Sequence, residues 1–198
     1  VVIVITVLSM VQRFYKSLLG DEGYLMFTLP VKTWQHITSK LIVAAVWSTA
    51  SVLVAFGSIM ILSAKAGFWK LLGETLTSIK GIFGVAGFFT FPLAALATLL
   101  TGILMIYAAI TLGHLSTKYR LFTSFAWYYA LHFVSSVLLT AIIIPLVGHF
   151  EEVFVYEVFP ADLFQKMVLW LSLLSALVLG TAYFMLINFI FNRKLNLE

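Results

Sequence analysis

Four long apolar stretches constrain this chain more than any other feature: residues 41–62, 88–112, 121–147 and 167–191. Each reaches the roughly 20 residues that a helix needs to cross the hydrocarbon core of a bilayer. Charge stands at their borders, with Lys40 and Lys65 around the first, Arg120 before the third, and Lys166 and Arg193 around the fourth. The runs are continuous rather than alternating, which excludes barrel strands. Of the 198 residues 62% are hydrophobic and only 10% charged, against about 25% charged in a soluble domain. One soluble core of this size cannot hide so much apolar surface. The expected fold is an all-α polytopic membrane protein, and the ordinary soluble enzyme classes drop out.

A fifth apolar segment, residues 1–11, opens on Val1 without the basic start or small-residue cleavage site of a signal peptide. It reads as the end of a further span whose upstream part is missing from this chain. The formal net charge of +4 does not point to nucleic acid, because the cations sit at the ends of apolar runs, where they encode orientation. The chain has no cysteine, so neither a disulfide framework nor a thiolate metal site is expected.

Orientation follows from the connecting segments. One set holds Arg13, Lys16, Lys32, Lys40, Lys118, Arg120, Arg193 and Lys194 against Asp21, Glu22 and Glu198. The other holds Lys65, Lys70, Lys80 and Lys166 against Glu74, Glu151, Glu152, Glu157 and Asp162. Lys and Arg concentrate on the cytoplasmic side, which places the first set, and the C-terminal tail 192–198, in the cytoplasm. Two non-spanning stretches then lie outside. Phe68, Leu72, Leu76, Ile79 and Phe83 recur at helical spacing, predicting an amphipathic helix over 67–83 on the outer surface. Residues 148–162 mix aromatic and acidic side chains and read as either a re-entrant or an interfacial segment, with Pro145 able to bend the span before it. Gly81, Gly84 and Gly87 mark either a flexible entry to the next span or a tight crossing.

The segment 12–40 is too polar to span and too apolar for a plain linker. Gly20 ends an apolar stripe; Asp21 is placed to cap a short new helix, with Glu22 in its first turn favoured by the helix dipole. Tyr24, Leu25, Met26 and Phe27 follow, and Leu29-Pro30 stops the helix. Thr33 reads as the cap of the next span. A short helix between two bends, presenting aromatic and Met side chains, suits insertion into a groove on a partner protein; the alternative is a loop folded against its own membrane surface.

Inside the spans, Ser124, Tyr128, His132, Ser136 and Thr140 recur every four residues. They form a broad polar face that either lines a pathway or meets a neighbouring helix. Ser172, Ala176 and Gly180 form a small-residue stripe suited to close helix packing. His36, His114, His132 and His149 share no helix turn, so no local metal site is expected, and no carboxylate falls within a span. That speaks against a proton-driven carrier and against intramembrane hydrolysis.

The stretch GDEGYLMFTLPVKTWQHITSKLI, through Asp21, Glu22, Gly23, Leu25, Leu29, Pro30 and Lys40, resembles the first cytoplasmic loop of ABC-transporter permeases of the type-2 exporter class. The tail NFIFNRKLNLE resembles that of a group of uncharacterised permeases from Gram-positive Firmicutes. The resemblance implies a six-span transmembrane domain of which span one and part of span two are missing. Residues 1–11 would then end span two, 12–40 form the coupling loop, and 41–62, 88–112, 121–147 and 167–191 make spans three to six. It further implies a dimer of permease subunits, homomeric or heteromeric, in the bacterial cytoplasmic membrane. A separate ABC ATPase subunit would hold ATP and Mg, with no cofactor in this chain. Residues 20–30, Tyr24, Met26 and Phe27 among them, would sit in a cleft of that ATPase. The 124–140 polar face would lie near the dimer axis and the pathway of an amphipathic substrate (peptide, lipid or drug). The absence of any Gly-Lys dipeptide, and hence of a P-loop, is consistent with an ATPase on another chain. Two other readings stand beside it: the substrate-binding membrane subunit of a vitamin importer, and a structural or assembly factor of the membrane.

Overall fold

The computed structural model describes residues 2–16, 32–63, 67–116, 118–154 and 161–194. The described residues form five helices: α1 (Val2–Phe14), α2 (Thr33–Ser63), α3 (Phe68–His114), α4 (Arg120–Phe154) and α5 (Ala161–Lys194). No strand occurs among the described residues. Four segments are long and apolar enough to cross a membrane: Thr33–Ser63, Phe89–His114, Arg120–Pro145 and Lys166–Arg193. The described residues are therefore all-helical, with the make-up of a membrane protein.

α3 is the central helix. It packs most extensively against α5 and α4, and also meets α2 and α1. Its stretch from Ile103 to Thr111 supplies most of the core, with Ile103, Leu104, Tyr107, Ala108, Ala109, Ile110 and Thr111 all buried. Phe14, Ile37, Ala44, Tyr183, Ile187 and Phe191 close around it from the other helices. In lipid there is no hydrophobic drive between helices, so small residues that let backbones approach carry the packing. Gly113 shows this most sharply: a Cβ there would lie 2.0 Å from Ser124 Oγ and 2.6 Å from the Ser124 backbone nitrogen. The start of α4 rests on the bare backbone of α3.

The small residues of α5 are used in the same way. Thr101 Oγ1 donates to the Ala176 carbonyl at 2.7 Å, and a Cβ on the buried Gly180 would approach the same Thr101 hydroxyl at 3.1 Å. Ala176 and Gly180 thus face α3.

Two glycines break helical geometry. Gly67, with φ 70°, precedes α3, and Gly84, with φ 66° and ψ −169°, interrupts it. Both values are strained for any side chain-bearing residue. Of the three glycines 81, 84 and 87, Gly84 is the one at which the helix turns, separating residues 68–83 from the membrane-length part of α3. By contrast α4 runs through Pro145 to Phe154. Proline costs one backbone hydrogen bond there, a loss that helices of membrane proteins tolerate, and residues 148–154 continue the same helix.

Candidate functional site

Contacts between helices fix which ends lie together. α1 and α2 are antiparallel, with Thr6 bonded to Ser51 at 2.7 Å and Ser48 donating to Met10 sulfur at 3.5 Å. Counting back along α2 at about 1.5 Å per residue, its start lies well beyond the level of Phe14. Phe14 stacks on Tyr107 of α3, and Tyr15 meets His114 edge-on at 5.9 Å. Thr33 Oγ1 donates to Asn192 Oδ1 at 2.7 Å, joining the first residue of α2 to the end of α5. Gly113 against Ser124 brings in the start of α4. Arg13, Lys16, Lys32, Lys40, Lys118, Arg120 and Arg193 are therefore gathered at one end of the bundle.

The residues nearest the segment 17–31 are held by specific chemistry. Lys32, not Thr33, occupies the cap of α2: its carbonyl accepts from the Gln35 amide at 2.9 Å, and its own N–H donates to Gln35 Oε1 at 3.1 Å. A glutamine three residues into a helix reaching back to the cap N–H satisfies a donor that the helix leaves open. Thr33 is thereby released to bond across to Asn192. On the other flank, the chain leaves α1 through a wider turn at Tyr15 and Lys16. At the far corner Arg193 lies over the Phe189 ring at 4.9 Å. The end of α1 is thus tied to α3, and the start of α2 to the end of α5. The sequence-derived coupling residues Gly20, Asp21, Glu22, Gly23, Tyr24, Leu25, Met26, Phe27, Leu29 and Pro30 lie outside the described residues.

The polar series on α4 divides. Ser124 is half-buried against Gly113 and returns its hydroxyl to the Arg120 carbonyl at 2.7 Å. Tyr128 is half-buried, edge-on to Tyr129 with centroids 5.7 Å apart. His132, Ser136 and Thr140 are exposed. The covered face passes instead through Leu131, Ser135 and Leu139, each half-buried, and Ser135 Oγ is hydrogen-bonded to the Tyr183 hydroxyl of α5. The reason is periodicity: a strict four-residue repeat advances about 40° per step on a helix of 3.6 residues per turn. The series begins on the packed face and spirals off it. Ser135 and Tyr183 join α4 to α5, a pairing that the four-residue repeat misses and a 3.6-residue repeat finds.

His36 is buried near the start of α2, and His114 is half-buried beside Tyr15. Among the described residues no three His, Cys, Asp or Glu side chains group as metal ligands. No family model, curated protein or solved structure matches this chain.

Proposed function

We propose that this chain is the membrane-spanning permease subunit of an ATP-driven exporter of the type-2 ABC class. In this reading it pairs with a second permease subunit and with separate ATPase subunits that bind ATP and Mg. The observation that carries the proposal is the gathering of seven Lys and Arg residues at the bundle end where residues 17–31 connect α1 to α2. By the positive-inside rule that end is cytoplasmic, and it is the end a cytoplasmic ATPase can reach. The connection leaves from α1 and enters α2, and both helices are pinned to α3 or α5 through Phe14–Tyr107 and Thr33–Asn192. A push on residues 20–30 would therefore pass into the bundle rather than dissipate in a loose loop.

The second subunit is supported by α4. No residue of α4 between Arg120 and Pro145 is buried, and His132 stands on its exposed side with Ser136 and Thr140. Ionisable groups within spans almost always face protein or water rather than lipid. A second copy against this face would supply that surroundings. The cargo of the pair is an amphipathic molecule such as a peptide, lipid or drug.

The test is co-purification of this chain, expressed in bacterial membranes, with ABC ATPase subunits, in wild type and in Leu25→Asp and Phe27→Asp. The proposal expects both variants to keep the helical spectrum of the wild type and to lose ATPase capture and substrate-linked ATP hydrolysis. Unchanged capture by both, or capture of an importer scaffold subunit in place of an ATPase, overturns it.

A further inference from the structure

Residues 68–83, the part of α3 before Gly84, play no part in the transport reading. At about 100° per residue, every aromatic and large aliphatic residue from Phe68 to Phe83 falls within one arc of about 160°, from Leu71 round to Trp69. Every charged residue, with Thr77, Ser78 and the glycines, falls in the other arc. Thr75 is the one polar residue on the apolar side, and its hydroxyl is returned to the Leu71 carbonyl at 2.8 Å. Leu71 and Leu76 are 64% and 45% exposed, so the described residues leave this apolar surface open.

What covers it follows from the tether. Gly84 has φ 66° and ψ −169°, a combination essentially closed to residues with a side chain. From there to Phe89, where the membrane-length part begins, the helix rises about 8 Å. A bilayer is ~40–45 Å thick around a core of ~30 Å, so each headgroup layer is roughly 5–8 Å deep. Gly84 therefore stands at headgroup level. An unbroken helix would lift residues 68–83 into water, apolar arc included, whereas a turn at Gly84 lays them along the surface. Removing the arc from water favours the second course. We infer that residues 68–83 form a membrane-surface helix at the bundle end opposite the cations. Its apolar arc is sunk into the lipid of that leaflet, and Gly84 is the elbow that lays it down. Trp69 stands at the edge of the arc, where an indole meets the headgroups it favours. The sequence alone predicts a surface helix here; the backbone adds the elbow and its level. Nothing in this rests on the exporter reading, since it needs only that residues 89–114 cross a bilayer.

The test uses this chain, which has no cysteine, in vesicles of phosphatidylcholine and phosphatidylglycerol in equal parts. Leu71→Cys, Leu72→Cys and Leu76→Cys place spin labels on the apolar arc, and Lys70→Cys, Glu74→Cys and Thr77→Cys place them on the polar one. Oxygen, which concentrates in lipid, should dominate relaxation of the first three labels, lying about 5–10 Å into the headgroup–acyl boundary. A water-soluble nickel chelate should dominate at the other three. Residues 72 and 93 would lie about 31 Å apart along an unbroken helix and about 22 Å apart across a right-angled turn at Gly84. The distance between labels on Leu72→Cys and Leu93→Cys should fall near the shorter value. Leu71→Glu with Leu76→Glu should pass a label at position 72 from oxygen to nickel, whereas Thr77→Glu with Ser78→Glu should leave it unchanged. Any of four results overturns the inference: nickel reaching all six positions alike, as for a helix standing in water; the apolar positions shielded from both reagents, as beneath a second copy or another part of the chain; a label distance nearer the longer value; or equal effects of the two glutamate pairs.

Discussion

The rings of Phe14 and Tyr107 lie face to face, their centroids 3.9 Å apart and their planes 13° from parallel. Through this pair α1 is fastened to the central helix at the cation-rich end, and both residues are almost fully buried. Aromatic pairs contribute about 0.5–1.5 kcal/mol beyond the area they cover. A double-mutant cycle of Phe14→Leu and Tyr107→Leu, read by reversible unfolding in mixed micelles, should give a coupling energy of that size. Strictly additive single-mutant effects would show that the stack contributes nothing of its own.

Gly113 makes a stronger demand. A methyl group there would lie 2.6 Å from both the Cα and the backbone nitrogen of Ser124, so no side-chain rotation can relieve the clash. Gly113→Ala should destabilise the fold by about 1–3 kcal/mol, the usual cost of overpacking. Adding Ser124→Gly should recover little of that loss, because the backbone contacts remain. Gly102→Ala, whose added methyl meets open space, serves as the control and should be close to neutral in the same unfolding assay.

The four membrane-length helices were legible from residue type alone, because length and apolar composition are enough to find them. The inner faces of the helices were not. In α5 Ile187 is wholly buried while Met185 and Phe189, two residues to either side, are 69% and 51% exposed, yet all three are apolar. Lipid accepts the same side chains as the core, so hydropathy carries no record of which face packs. What could be read were the small residues: Ala176 and Gly180 mark the face of α5 that meets Thr101. The polar series on α4 departs from the α3 and α5 contacts for a geometric reason, since a step of four follows the helix surface only briefly before leaving the contact face.

Neighbouring serines give that point a direct test. Ser135 bonds to Tyr183 across the α4–α5 gap, whereas Ser136 is exposed and returns its hydroxyl to the Phe133 carbonyl at 2.8 Å. Interhelical hydrogen bonds in membrane proteins average about 0.6 kcal/mol and reach about 1.7. Ser135→Ala should cost an amount in that range and Tyr183→Phe a similar amount, with no further loss when the two are combined. Ser136→Ala should leave monomer stability unchanged.

Because the chain has no cysteine, introduced thiols report on single positions without background. Thiols replacing Lys32 and Lys118 should be labelled by an impermeant maleimide only when the cytoplasmic face is exposed, as in inverted vesicles. A thiol replacing Lys70, in the helical segment before Gly84, should be labelled only from the opposite side. All three reacting from one side would contradict the bundle polarity set by the Thr6–Ser51 and Thr33–Asn192 contacts.

The same approach reaches the outer face of α4. His132, Ser136 and Thr140 project away from the α3 and α5 contacts, and a second subunit on that face would bring two copies of the row together. In a two-fold interface the same patch meets itself. His132→Cys and Ser136→Cys should then form disulfide-linked dimers on mild oxidation in native membranes. Ser135→Cys, turned toward Tyr183, should remain monomeric under the same treatment. His132→Leu should not lower monomer stability, since lipid accepts leucine more readily than imidazole, but it should weaken the dimer if the imidazole is partnered there. Equal cross-linking at 132 and 135 would mean random collision rather than an interface, and His132 would then face lipid with only Tyr128, 6.5 Å away, beside it.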